Sequence, residues 1–568
     1  VSCRTRKVIA VLIAVAVFFI CTSAGWADGQ AQPQALKTAG ITGLRQIDPN
    51  LDGNGVNIGI ISRSYTYIEN EPQNDYQPNT FHKSLQGRSF TFFDQGLKPG
   101  DISPHTTAVC SILFGRDEKG TNEKLGTFSY DGAIPDANAE VYEFWYFLTN
   151  NIFSLKAPAV DILTADIGNP VSDWWTRGLE AMAEKNGITI VAAIGNGSNA
   201  YDPPLYPAAG ANVIGVGVVD AVNSNDIATA LSEFAIARPE HSSCGPTKQQ
   251  RSKPDIVAPG NCLAAVSNSV EGYEVTGNWT SFATPVVAGA AGLLIQKAKM
   301  DENLSDAVSA NGGNCVIKAL LMNSAVKLPF WHKGRLEKID DHNCPLDFLQ
   351  GAGMVNAVGA YKQLVAGKHA PGNVSAAGWD LNELGDSSNS YQLNIKETKD
   401  KFITATVIWN NHFSNIFPFK AQPEKDANIR LELWMVNSDG GEALLDYSDS
   451  PADNVEHIYC PLDANYSNYK LIVTQTIDQS TPPLREVYAV VWNVEERTQN
   501  DNIHWYDLNA DGQVDDADTG VLLDSLINNM KSAGSYFIGD MNSDGVFDEA
   551  DFDILTKQMN RKAAWAEK

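Results

Sequence analysis

Positive charge and long apolar runs are scarce in this 568-residue sequence. Lysine and arginine number 42 against 68 aspartates and glutamates, a net charge of −26. That balance argues against nucleic acid and anionic membranes as partners, and suits cations and solubility. The apolar run 8–20 counts 13 residues, short of the ~20 that carry an α-helix across a bilayer. It follows Arg4, Arg6 and Lys7 and leads into small residues up to Ala27. This layout is that of a signal peptide cleaved after Ala27, and it predicts a secreted, extracellular or periplasmic protein with no stable membrane insertion. Cysteine is also sparse, at eight residues, and Cys3 and Cys21 fall within the signal. The other six, Cys110, Cys244, Cys262, Cys315, Cys344 and Cys460, are too widely spaced for a structural zinc site. Outside the cytoplasm they allow up to three disulfides, in connectivities the sequence does not rank.

What is present is ordinary globular material. Hydrophobic residues make up 43% and charged residues 19%, so disorder is a poor description of the whole, and the length accommodates two or three domains. From about 50 to 365, short β-branched runs such as 56–61, 188–193 and 213–218 alternate with helical stretches, as in a parallel α/β sheet. Expected helices cover 175–185 and a small-residue segment from 283 to about 299. The stretch Gly367-Lys368-His369-Ala370-Pro371-Gly372 reads as a linker. Beyond it, runs at 402–409, 430–436, 470–473 and 488–492 alternate in the manner of an antiparallel β-sandwich without evident chemistry. The expected organisation is a signal at 1–27, an α/β domain at 28–366, a β-sandwich at 373–496 and a small helical domain at 500–562.

That last segment contains an internal repeat. Asp507, Asn509, Asp511, Gln513, Asp515 and Asp518 recur in register as Asp540, Asn542, Asp544, Val546, Asp548 and Asp551. Side-chain oxygens at positions 1, 3, 5, 9 and 12, a backbone carbonyl at 7, and Gly512 or Gly545 at the sharp turn build a cage for calcium. Apolar residues at helical spacing follow each loop: Val521, Leu522 and Leu526, then Phe552, Leu555 and Met559. The segment resembles a dockerin, and that resemblance implies a cohesin-type domain as partner.

The densest chemistry lies in the α/β region. Ser281 stands before a small-residue helix in Thr280-Ser281-Phe282-Ala283-Thr284-Pro285, where helix-terminal amides and the dipole favour a developing oxyanion. His105-Thr106-Thr107-Ala108 and Ala193-Ile194-Gly195-Asn196-Gly197 precede it, and Lys253-Pro254-Asp255-Ile256-Val257-Ala258-Pro259-Gly260 lies between. In chain order these segments resemble the subtilase family of serine peptidases. The resemblance implies Ser281 as nucleophile, His105 as general base, Asn196 in the oxyanion hole, and a polypeptide substrate.

The sequence departs from that family in several places. Where subtilases carry the acid of the triad, this chain reads Ile60-Ile61-Ser62-Arg63-Ser64. Ser62 or Arg63 occupies the place according to register, with Arg63 favoured, and an arginine would repel the imidazolium that the acid normally stabilises. Thr106 and Ala108 replace a Gly and a second His, and Trp279 replaces a Gly before Thr280, where its ring would crowd the nucleophile turn. Asp101 and Asp166 are the nearest alternative acids. The reading is a secreted subtilisin-like endopeptidase attached to a scaffold or cell surface; the alternative is a catalytically impaired pseudopeptidase that binds peptides.

Overall fold

The computed structural model describes residues 29–476 except 65–66, 69–70, 73–74, 98–101, 198–201, 329–330, 335–341, 386 and 400. It also describes 484–496 and, near the C-terminus, 514–520, 523, 552, 555–557 and 559–560. The signal-peptide reading lies outside the described residues. So do Asp101 and the calcium-loop positions Asp507, Asn509, Asp511, Gln513, Asp540, Asn542, Asp544, Val546, Asp548 and Asp551.

The β-branched runs become the strands of one eight-stranded sheet. In chain order these are β1 (Asn57–Ser62), β2 (Phe90–Phe93), β3 (Asn138–Glu143), β4 (Ile162–Ala165), β5 (Thr189–Ala193), β6 (Ile214–Ala221), β7 (Phe234–Ala237) and β8 (Ile256–Pro259). Their spatial order is β7-β6-β5-β4-β1-β3-β2, with β8 also paired to β6; every pairing is parallel except that of β7. Five of the six residues of β1 are buried, as expected of a central strand covered on both faces.

Helices α1 (Pro104–Phe114), α2 (Trp174–Asn186), α3 (Thr280–Met300), α4 (Gly313–Asn323) and α5 (Ala357–Val365) complete the unit. Nearly every residue of α3 from Thr280 to Leu294 is buried. Gly289 explains its close seat, because a Cβ there would come 2.2 Å from the Cβ of Ala133. The buried residue Asp255 fastens β8 to β6 by accepting from Gly215 N at 2.7 Å, and it also pairs with Lys318 at 2.9 Å and with Lys253.

Residues 372–496 form two further sheets. The strands are β9 (Gly372–Val374), β10 (Ala377–Leu384), β11 (Asn389–Asn394), β12 (Lys401–Trp409), β13 (Ile429–Val436), β14 (Glu442–Ser448), β15 (Val455–Pro461), β16 (Asn468–Gln475) and β17 (Glu486–Glu496). One sheet runs β9-β11-β16-β13-β14 and the other β10-β17-β12-β15. Between them sits a core that includes Tyr391, Trp409, Leu431, Leu471 and Trp492.

The stretch read as a linker is hydrogen-bonded. His369 N donates to Trp379 O at 2.8 Å and Trp379 N to Gly367 O at 3.2 Å. The Trp379 indole donates to Leu364 O at 2.9 Å, and Trp379, Ile408, Val455, Ala489 and Val491 belong to the same core as α3 and α4. Composition marks the Gly/Pro-containing stretch but cannot tell a tether from a fastened turn.

The disulfide expectation also changes. Cys110, Cys262, Cys315 and Cys460 are buried thiols rather than halves of bridges. Burial pushes the Cys262 thiol up to about 12, which makes it an inert packing residue. Of the C-terminal residues, Val514 and Leu555 are buried against Val219, Ile236, Val257 and Leu349 of the α/β unit, with Phe552 and Met559 beside them. No helix among the described residues is long and apolar enough to cross a membrane.

Candidate active site

His105 is the second residue of α1. Ser103 caps that helix, its Oγ accepting from Thr106 N at 3.1 Å, and Pro104 occupies the first helical position with its φ already suited. The imidazole is half-buried, and burial pushes it down to about 4, so the ring is neutral near pH 7. It lies against the ring of Phe282, with centroids 5.5 Å apart. That contact sets the histidine beside the Ser281 turn.

Helix α3 starts earlier than its small-residue pattern predicts, at Thr280, so Ser281 lies within the first turn rather than ahead of it. Trp279 makes no side-chain cap there, and the turn distributes its donors individually. Thr280 N goes to Asn196 Oδ1 at 2.9 Å, while Phe282 N and Ala283 N go to Trp279 O at 3.0 and 3.3 Å. The Ser281 N–H is left without an acceptor among the described residues. It is thus an open donor at a helix N-terminus, the kind of group that binds an anionic oxygen.

Asn196, exposed on the loop after β5, also accepts at Oδ1 from Thr280 Oγ1 at 2.8 Å. With its oxygen committed to Thr280, the amide presents Nδ2 as a donor. The Trp279 ring does not crowd this turn. It is 52% exposed and lies over Gly277, whose φ of 114° leaves room that a Cβ would take.

At the end of β1, Ser62 is buried and its Oγ pairs with Thr106 Oγ1 on α1 at 2.7 Å. Arg63, the favoured occupant of the acid's place, is exposed. Both residues line a small cavity together with His105, Thr106 and Asp166. Asp166 follows β4 directly; its Oδ1 is buried with no hydrogen-bond partner, and burial pushes its carboxyl up to about 8. On the other side of β1, Glu143 ends β3 opposite Ser62 and caps the short helix after it by accepting from Tyr146 N at 3.0 Å.

The structure therefore joins Asn196 to the Ser281 turn through Thr280, and His105 to it through Phe282. The sequence alone assigns a role to neither Thr280 nor Phe282, although both flank Ser281. No group of three or more His, Cys, Asp and Glu side chains among the described residues is placed to hold a metal ion. Of the calcium-loop positions, Asp515 and Asp518 are described: Asp515 N donates to Asp518 Oδ2 at 2.7 Å.

Residues 79–359 match the family model described as the subtilase family, Peptidase_S8. The major intracellular serine protease of Bacillus subtilis (strain 168) is 28% identical over 232 residues, covering 38% of this chain and 63% of that protein. Thermitase of Thermoactinomyces vulgaris is 26% identical over 270 residues, covering 45% and 81%. The chain thus spans somewhat under two thirds of the first relative and about four fifths of the second. Among solved structures, the S41 psychrophilic protease aligns with 58% of this chain and 99% of its own, at 17% identity and a TM-score of 0.39.

Proposed function

We propose, from the premise that residues 79–359 form a subtilase-family domain, that this protein is a serine endopeptidase acting on polypeptides through Ser281, His105 and Asn196. The observation that carries the reading is the pair of donors at the nucleophile turn, the open Ser281 N–H and the Asn196 amide held by Thr280. Ser281 Oγ attacks the scissile carbonyl carbon and its proton passes to His105. The carbonyl oxygen takes up the negative charge between the two donors. His105 then protonates the departing amine, and water, deprotonated by the same ring, hydrolyses the acyl ester and restores Ser281. No hydrogen bond joins Ser281 Oγ to His105 among the described residues, as is common before substrate binds.

The reading extends to export and attachment. The apolar run at 8–20 supports secretion, and the repeated acidic loops support calcium binding and docking to a cohesin-type domain. Calcium would stiffen those loops; it has no part in the hydrolytic step. A pseudopeptidase is the second reading, favoured by the absence of a carboxylate from the end of β1, where Ser62 and Arg63 stand.

A fluorophosphonate probe separates the two readings. Covalent labelling of Ser281 in the folded, calcium-loaded protein, lost in Ser281→Ala, is the result expected of the endopeptidase. A folded protein that takes no label is a pseudopeptidase.

A further inference from the structure

We propose that Asp166 stands in for the acid missing from β1, and that its carboxylate, delivered from the adjacent strand, accepts a hydrogen bond from the His105 ring N–H that faces away from Ser281. The inference rests on the reading of Ser281 and His105 as a catalytic pair. Asp166 is a positioning residue, and no proton is transferred to it. The serine proton moves to the other ring nitrogen and on to the leaving amine, while the carboxylate fixes the tautomer and stabilises the transient imidazolium.

Sheet geometry places Asp166 in reach. β4 runs parallel to β1 with Ala165 paired to Ile61, so the next residue on each strand, Asp166 and Ser62, are neighbours at roughly the ~4.8 Å strand spacing. The acid missing from one strand end is present on the adjacent one. Asp166 and His105 line the same cavity, with Ser62, Thr106 and Arg63. Ser62 and Thr106 are turned to each other at 2.7 Å, which leaves the carboxyl as the acceptor of that wall.

The second observation is the state of the carboxyl. Asp166 Oδ1 is buried and unpartnered among the described residues. Glu143 and Asp220 also have one such oxygen, but each is held through the other, by Tyr146 N at 3.0 Å and His241 Nδ1 at 2.8 Å, whereas Asp166 makes no hydrogen bond to a described residue through either oxygen. Asp255 binds Gly215 N, Lys253 and Lys318, and Asp173 caps α2 through Trp175 N and Thr176 N. A buried acceptor without a donor costs stability unless it serves a purpose. A merely structural Asp here would be better replaced by an apolar residue or an amide.

The titratable groups nearest Asp166 are His105, which shares its cavity, and the Cys110 thiol on α1; Arg63 also lines that cavity but is exposed. Burial alone keeps the carboxyl protonated up to about pH 8. Ionisation through that range then supplies the acceptor, so activity gains a rising limb near pH 8.

The test follows the rate of fluorophosphonate labelling of the full mature chain with calcium, from pH 6 to 9, in the parent, Asp166→Asn and Asp166→Ser. The expected result is labelling about 10² to 10⁴-fold slower in both variants, with the limb near pH 8 gone. Labelling of either folded variant at the parent rate and with the parent pH profile overturns the proposal. Should the parent itself take no label, the endopeptidase reading fails, and the ring-nitrogen NMR resonances of His105, assigned with His105→Gln, then decide on Asp166. A changed tautomer signature in Asp166→Asn upholds the contact, and unchanged resonances overturn it.

Discussion

Thr280 grips Asn196 twice, by its backbone N–H at 2.9 Å and its hydroxyl at 2.8 Å, both on the side-chain oxygen. The residue preceding Ser281 thereby decides which end of the Asn196 amide stays free to donate. Asn196→Ala is expected to lower kcat by about 10² to 10³-fold, the usual cost of one oxyanion donor, with KM little changed. Thr280→Val keeps the backbone donor and loses the hydroxyl, and is expected to lower kcat by about tenfold, equivalent to ~1.4 kcal/mol for one hydrogen bond. Peptide hydrolysis at saturating and limiting substrate checks both.

Ser62 and Arg63 differ in direction, and this separates two otherwise similar substitutions. Ser62 is buried toward α1 and Arg63 is exposed. In an Asp166→Asn background, Ser62→Asp is expected to restore labelling of Ser281 by about tenfold or more, because it returns a carboxylate to the same cavity wall. Arg63→Asp in that background is expected to leave the rate within about threefold, an exposed charge being screened by water.

His412 links the two large units. Its Nδ1 lies 2.8 Å from Glu184 of α2 and its Nε2 3.0 Å from Glu486 of β17, and hydrogen bonds to these two carboxylates push it up to about 10. Asp426, which accepts from the His412 N–H, faces it as well. Because the folded value lies above the ~6.5 of an unperturbed histidine, the stabilisation is complete below pH 6.5 and is lost as pH rises to about 10. The melting temperature of His412→Gln should accordingly fall well below the parent's at pH 6 and converge with it near pH 10, as measured by calorimetry across that range.

Gly289 and Ala133 leave no space between α3 and the turn it crosses. A Cβ at 289 would lie 2.2 Å from that of Ala133, so Gly289→Ala is expected to cost about 1–3 kcal/mol of overpacking despite a helix-propensity gain of up to ~1 kcal/mol. Adding Ala133→Gly should recover part of the loss. A double-mutant cycle by urea unfolding measures that coupling.

Local pattern makes the α/β alternation and the segments around His105, Asn196 and Ser281 visible in the sequence, since each is a short run with its own periodicity or glycine placement. It does not show which of Ser62 and Arg63 turns inward. β1 is buried on both faces, so Ile60 and Ile61 are equally apolar and no alternation marks the register at the strand end. Asp166 is visible only as a nearby acid, because its relation to Ser62 depends on the pairing of strands about a hundred residues apart. Apolar periodicity places the start of α3 late for a related reason: Thr280 is held by Asn196, and Phe282 and Ala283 by the Trp279 carbonyl, instead.

The seam at Trp379 has a consequence for how this protein comes apart. Its indole is buried and bonded to Leu364 O, and Ile408, Val455, Ala489 and Val491 share one interior with α3 and α4. Removing residues 372–496 would strip that interior of its far wall and expose apolar surface to water. Heat or urea should therefore release the two large units in a single cooperative step, and a chain trimmed back at the Gly367–Gly372 turn would unfold at a lower temperature.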